Sequence, residues 1–277
     1  MSIRTPLLVF YALAFAISWG AVLAVVGPHG FPGTTDQFAR LLAPVIVAML
    51  AGPSVAGVLC TAVFFGRAGL ANYAGRLARV RVDARWIAIA LVTAPLVVSA
   101  VLGMLALGSD VFRPGLVTTT TPARHLLLGL VAGLAAGTFE ELGWTGFAIP
   151  LLRRRHGVFA TGVIAGVLWG AWHFLVVWWG STGSAGGVPM TTYLPAMLFS
   201  FLPPYRVLMV WVYDRTGSLP VAMLMHASLT ASVRIFDPIG IAGAPIVTYN
   251  LVLGAALWLI VAAVVAAHRG RLDRGPV

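Results

Sequence analysis

The sequence predicts an all-α integral membrane protein, with about eight transmembrane helices in one bundle around a membrane-embedded polar cavity. Three observations lead there. Apolar residues make up 60% of the 277 and charged residues only 9%, against roughly 45–50% and about 25% in ordinary soluble domains. Mean hydropathy is +0.95. Eight apolar runs approach the ~20 residues needed to cross a hydrocarbon core, and most charges fall in short gaps between them.

The first run, 5–26, follows Arg4 and reads TPLLVFYALAFAISWGAVLAVV. It exceeds the ~7–15 residues of a secretory h-region, so it reads as a retained span. The second, 41–65, contains the only cysteine, Cys60, a small core or lipid-facing residue. Next comes GRAGLANYAGRLARVRVDARW (66–86), which alternates arginine with apolar residues. It reads either as an amphipathic helix on an anionic leaflet or as a solvated basic loop. The third span is 86–107. The fourth, 125–152, is long enough to tilt. The fifth is 157–179, and GSTGSAGGVPM (180–190) after it reads as a flexible outer loop. Spans at 193–213, 219–236 and 246–267 complete the set, the seventh being short. No repeat, soluble domain or long linker interrupts residues 1–277, so they read as a single polytopic membrane domain.

Eight spans put both termini on one side. If that side is the cytoplasm, thirteen arginines lie inside: 4, 67, 76, 79, 81, 85, 153, 154, 155, 215, 269, 271 and 274. Only Arg40, Arg113, Arg124 and Arg234 lie outside, and Arg206 falls within a span. That bias fits the positive-inside rule and predicts cytoplasmic termini in a cell membrane. It also accounts for the net charge of +10. The expected partners are therefore membrane lipid and a peptide or membrane-protein substrate; no nucleic-acid fold signature accompanies the charge. One cysteine excludes an intrachain disulfide and a cysteine metal site.

Ionisable side chains deep in a bilayer are costly, and each is a candidate for function. Four stand out. Glu140 and Glu141, the only glutamates, lie in LLLGLVAGLAAGTFEELGWTGFAIPLL; His173 and His226 lie in the fifth and seventh spans. Glu140 precedes the arginine run at 153–155 by twelve residues, or roughly 18 Å along a helix. His226 is about 12 Å into its span and His173 about 24 Å, differences that tilt can absorb. Gly133 and Gly137, and Gly162, Gly166 and Gly170, are spaced four apart, as ridges that allow close helix contact in lipid. Adjacent helical residues point about 100° apart. One glutamate should therefore face a reaction centre while the other supports a neighbouring helix.

Three blocks together resemble the CPBP family of intramembrane proteases, which includes type II CAAX prenyl endopeptidases and bacterial homologues linked to bacteriocin immunity. They are FEELGWTGFAIP (139–150), LWGAWHF (168–174) and DRTGSLPVAMLMHASLTAS (214–232). The resemblance spans 124–236, taken as the catalytic core, and implies an eight-helix fold that hydrolyses peptides inside the membrane. It implies that Glu140 activates water with His173, that His226 stabilises an oxyanion, and that Thr230 takes part beside it. Glu141, Thr145 and Trp169 become supporting residues. Glu140, His173 and His226 also form a ligand set suited to zinc, so both metal-free and zinc-assisted hydrolysis follow from the resemblance.

Two positions depart from the family pattern. Thr145 stands where an arginine would pair with Glu141, and Thr230 stands where an asparagine is usual. A cation for Glu141 is then expected from Arg206 or Arg234; alternatively, Glu141 is protonated and bonded to Thr145. The departures also leave a second function open, a non-catalytic immunity or scaffold protein of the same fold.

Overall fold

A computed structural model describes residues 4–268 and 272–273. Every regular element among them is helical. The principal helices are α1 (Arg4–Val26), α2 (Thr35–Leu77), α3 (Ala84–Ala106), α4 (Pro122–Gly143), α5 (Val158–Trp172), α6 (Phe174–Trp179), α7 (Met190–Phe199), α8 (Leu202–Thr216), α9 (Leu219–Phe236) and α10 (Ala244–Ala267). Arg269, Arg271 and Arg274, expected on the inner face, lie outside the described residues.

Among the described residues, seven helical segments are long and apolar enough to cross a membrane, so this is a multi-pass membrane protein. The outer segments turn many apolar side chains outward, where lipid would solvate them; Leu8, Val63, Leu96 and Leu259 are each more than 60% exposed. The expected fifth span, 157–179, is the exception. It breaks at His173 into α5, of 15 residues, and α6, of six. The 15 residues of α5 rise only about 22 Å, short of a ~30 Å core. The sixth span is likewise two helices, α7 and α8, meeting at Ser200–Phe201.

The basic segment after the second span is helical in its first part and irregular in its last. α2 runs on to Leu77, redirected at Gly66. There φ of 57° takes a conformation only glycine adopts at little cost. Residues 78–83 then form an irregular link. The expected outer loop contains one helical turn, Ser181–Ser184.

Glycines set the closest helix contacts. On α4, Gly133 and Gly137 lie against the α9 backbone at Ala227 and Met223; a β-carbon on Gly137 would sit 2.4 Å from Met223 O. On α5, Gly162 and Gly166 meet Val207 and Pro203 of α8, and Gly170 meets Leu198 O of α7. The two ridges therefore join helices distant in sequence. One brings α9 onto the glutamate helix, and the other brings α8 onto the helix that leads to His173.

Beyond Gly143 the α4 backbone widens into a π-turn, Trp144–Ala148, before resuming at Ile149–Leu152. A π-turn disturbs the ordinary carbonyl ladder, and α2 supplies donors there. Tyr73 Oη donates to Leu142 O at 2.7 Å, and Arg76 Nη2 donates to Gly146 O at 2.7 Å. An arginine expected at the inner surface thus reaches inward to the element that follows the two glutamates.

Candidate active site

Glu140 and Glu141 sit on the last turn of α4 before the π-turn, 4% and 0% exposed. Their surroundings differ completely. Glu141 is saturated with donors. Arg206 Nη1 reaches its two oxygens at 2.8 and 2.9 Å, His226 Nδ1 reaches Oε1 at 2.7 Å, and the Thr145 hydroxyl donates to Oε2. Arg206 is therefore the cation anticipated from α8, while Arg234 lies elsewhere, along the cavity described below. Thr145 fills the remaining acceptor position.

Glu140 keeps a freer carboxylate. Its Oε2 accepts from Trp169 Nε1 at 2.7 Å and, more distantly, from Trp144 Nε1 at 3.4 Å. Its Oε1 lies 3.8 Å from His226 Nε2. That is too long for a hydrogen bond but short enough for one water to touch both atoms. The sequence expectation that the glutamates diverge needs refinement. Both reach His226, Glu141 at Nδ1 and Glu140 near Nε2, because the imidazole lies between them with its two nitrogens on opposite sides.

These contacts fix proton positions. A carboxylate accepts, so the Nδ1 of His226 carries a proton toward Glu141 and its Nε2 is left facing Glu140. In the same way His173 Nδ1 donates to Trp169 O at 2.8 Å, one turn back. His173 Nε2 is then the remaining acceptor of the neutral ring. The break between α5 and α6 leaves His173 half-buried on a cavity of ≈ 260 Å³ that Glu140, Trp169, His226 and Thr230 also line.

Trp169 connects the parts. Its N–H holds Glu140, the Arg206 guanidinium lies over its ring at 4.2 Å, and its ring meets His226 and His173 edge-on at 5.0 and 5.7 Å. Arg206 is fully buried, and two of its nitrogens, Nε and Nη2, lack hydrogen-bond partners among the described residues. The aromatic face offsets part of that cost, since a desolvated cation over an indole gains about 2 kcal/mol. The sequence marked Trp169 only as a neighbour of His173. Its link to Arg206 depends on the α5–α8 glycine ridge and has no local signal.

The donor arrangement does not fit the expected zinc site. No group of three His, Cys, Asp or Glu side chains is placed to hold a metal among the described residues. Indole N–H groups occupy one oxygen of Glu140 and a backbone carbonyl takes Nδ1 of His173, which leaves Glu140 Oε1 and His173 Nε2 free.

Known proteins match the part of the chain that builds this site. A family model described as type II CAAX prenyl endopeptidase Rce1-like covers residues 122–232, which include all four ionisable groups and Arg206. The match covers about 40% of the chain and makes this region similar to that family. CAAX prenyl protease 2 of Methanococcus maripaludis is 27% identical to this chain over 94 residues, 34% of this chain and 35% of its own length. The chain thus spans about a third of the curated relative it matches. The similarity to that family falls on the region from α4 to α9, where the carboxylates and histidines converge.

Proposed function

We propose that the chain is an intramembrane endopeptidase that hydrolyses a peptide bond with a water activated by Glu140 and His173. The convergence of Glu140, His173 and His226, from three separate segments, on one cavity carries the reading. In this reading Glu140 Oε1 takes a proton from water as its oxygen attacks the scissile carbonyl carbon. His226, protonated at Nε2, donates to the carbonyl oxygen as it becomes an oxyanion. Collapse of the tetrahedral species breaks the C–N bond, and Glu140 returns its proton to the leaving nitrogen. Glu141, held by Arg206, acts only by orienting His226. Thr230, one turn beyond His226 on α9, offers a hydroxyl to the same carbonyl. The substrate is a peptide or membrane protein reached within the bilayer, and α5 and α6 together make an eighth crossing, which keeps both termini cytoplasmic.

The alternative, a non-catalytic immunity or scaffold protein, rested on Thr145 and Thr230. Arg206 supplies the cation that Thr145 does not, which removes the first of those grounds. The test is turnover of matched prenylated and unprenylated peptides by purified protein in detergent. Glu140→Gln is expected to lower kcat by about 10²–10⁴-fold with an unchanged melting temperature. Dialysis against a strong zinc chelator is expected to leave wild-type turnover intact. Equal rates for wild type and Glu140→Gln reject the base role, and loss of activity on chelation rejects metal-free activation.

A further inference from the structure

Away from the candidate reaction centre, cations gather where three helices end. Arg85 and Trp86 stand in the first turn of α3, Arg215 in the last turn of α8, and His268 caps α10. Together they line an open pocket of ≈ 340 Å³. The chain brings them to one level because α3 begins at the end of the bundle where α8 and α10 finish, and α3 packs on α10.

The pocket is backed by aromatic rings. Trp86 meets Trp211 edge-on at 5.1 Å, and Trp211 meets the His268 ring edge-on at 5.6 Å. The Arg85 guanidinium lies 5.2 Å from the Trp86 ring. Its Nε pairs with Asp83 at 3.2 Å in an exposed position. Arg215 Nη2 donates to Leu272 O at 3.2 Å, but its Nε is buried with no hydrogen-bond partner among the described residues. His268 Nδ1 donates to Val264 O at 2.8 Å, so the ring is held in place. The nearby acids Asp214 and Asp273 both hold Arg153, and no acid is among the described side chains that line the pocket. A buried donor without an acceptor is costly. An anion seated here supplies that acceptor and answers the cations.

We propose that this pocket binds the phosphate of an anionic phospholipid. Arg85 and Arg215 take the phosphate oxygens, and Trp86 lies at the boundary of headgroup and hydrocarbon, where its amphipathic ring is suited. A lipid is favoured over a soluble phosphate because lipid-facing surface follows directly. On α3, Leu91 and Val92 are 44% and 45% exposed, about 9–10 Å along the axis from Arg85. Acyl chains can lie there while the headgroup stays at the arginines. A lipid so placed ties together the ends of α3, α8 and α10. This holds whether or not the chain is a peptidase.

Native mass spectrometry of the full-length protein in an uncharged detergent tests the site. The probes are phosphatidylglycerol and phosphatidylcholine with identical acyl chains, and glycerol 3-phosphate is the soluble competitor. Phosphatidylglycerol is expected to bind at least about tenfold more tightly than phosphatidylcholine. Arg85→Gln should weaken its binding about fivefold, and Arg85→Gln combined with Arg215→Gln should abolish the preference. Because Arg215 also holds Leu272, the exposed Arg85 carries the test if the double variant does not fold. Arg81→Gln, in the exposed part of the link 78–83, removes the same charge outside the pocket and should leave lipid binding unchanged.

Equal affinity for the two lipids overturns the site, as does a preference untouched by Arg85→Gln. Equal weakening by Arg81→Gln also overturns it, since the attraction then belongs to the basic surface as a whole. Displacement of phosphatidylglycerol by an equimolar amount of glycerol 3-phosphate overturns the lipid assignment and makes the pocket a site for soluble phosphate.

Discussion

Arg206 is fully buried, and its one carboxylate partner, Glu141, is as well. Removing one member of such a pair leaves an uncompensated charge, at a cost of about 3–5 kcal/mol. Arg206→Ala should therefore lower the melting temperature sharply and reduce turnover, since His226 loses its fixed partner. Adding Thr145→Arg to that variant should recover part of both, because residue 145 stands one turn from Glu141 and the departing guanidinium vacates the space; no gain in melting temperature would refute that exchange. Asp237, one residue beyond α9, gives a pH-dependent counterpart. Burial pushes its carboxyl up to about 7, against the opposing pull of the Tyr249 hydroxyl and Arg234. Below that value it is neutral, and above it is an anion beside Arg234. The folded state then keeps a proton that the unfolded chain releases, so stability should fall as pH rises toward about 7, and Asp237→Asn should flatten the fall; melting temperatures across pH 5 to 8 measure it. The sequence did point to Glu140, His173, His226 and the missing cation, because each is an ionisable group in an apolar run. It gave no hint of Tyr249, whose surroundings on α10 look like any other span.

At the level of helices, the glycine ridges turn sequence spacing into site geometry. Gly137 packs on α9 one turn before Glu141, at the level of Met223 and Ala227, so the ridge sets the register that brings His226 to Glu141. Gly137→Ala would place a β-carbon 2.4 Å from a backbone oxygen. That clash should push α9 away and cost at least tenfold in turnover. Gly75→Ala, which meets nothing within 4 Å, should leave activity unchanged and serves as the control for helix propensity. Equal effects of the two changes would detach the ridge from the site. The ridges were legible in the sequence, but their partners were not, since a four-residue spacing does not say which helix lies opposite. The break at His173 was equally hidden. Apolar residues flank His173 through α5 and α6, and hydropathy cannot register a single turn of altered hydrogen bonding. Nor does composition announce the π-turn, which is seen only with its carbonyls capped by Tyr73 and Arg76.

At the scale of the whole molecule, seven of the eight expected crossings were readable because lipid demands long apolar helices, while the pairing of those helices follows from side-chain shape. α4 packs on α9 and α5 on α8, so the site is closed by elements made late in the chain. Glu141 precedes its cation by 65 residues and its histidine by 85. At roughly 5–20 residues per second of synthesis, the ribosome needs about 3–13 s after making the glutamates to produce Arg206, and longer to produce His226. During that interval the two acids have neither of their partners. The nascent chain must pass through a stage in which its most expensive residues are unpaired, protonated or held in the insertion machinery. The buried pair that orders the finished site is thus also a timing constraint on how the protein is made.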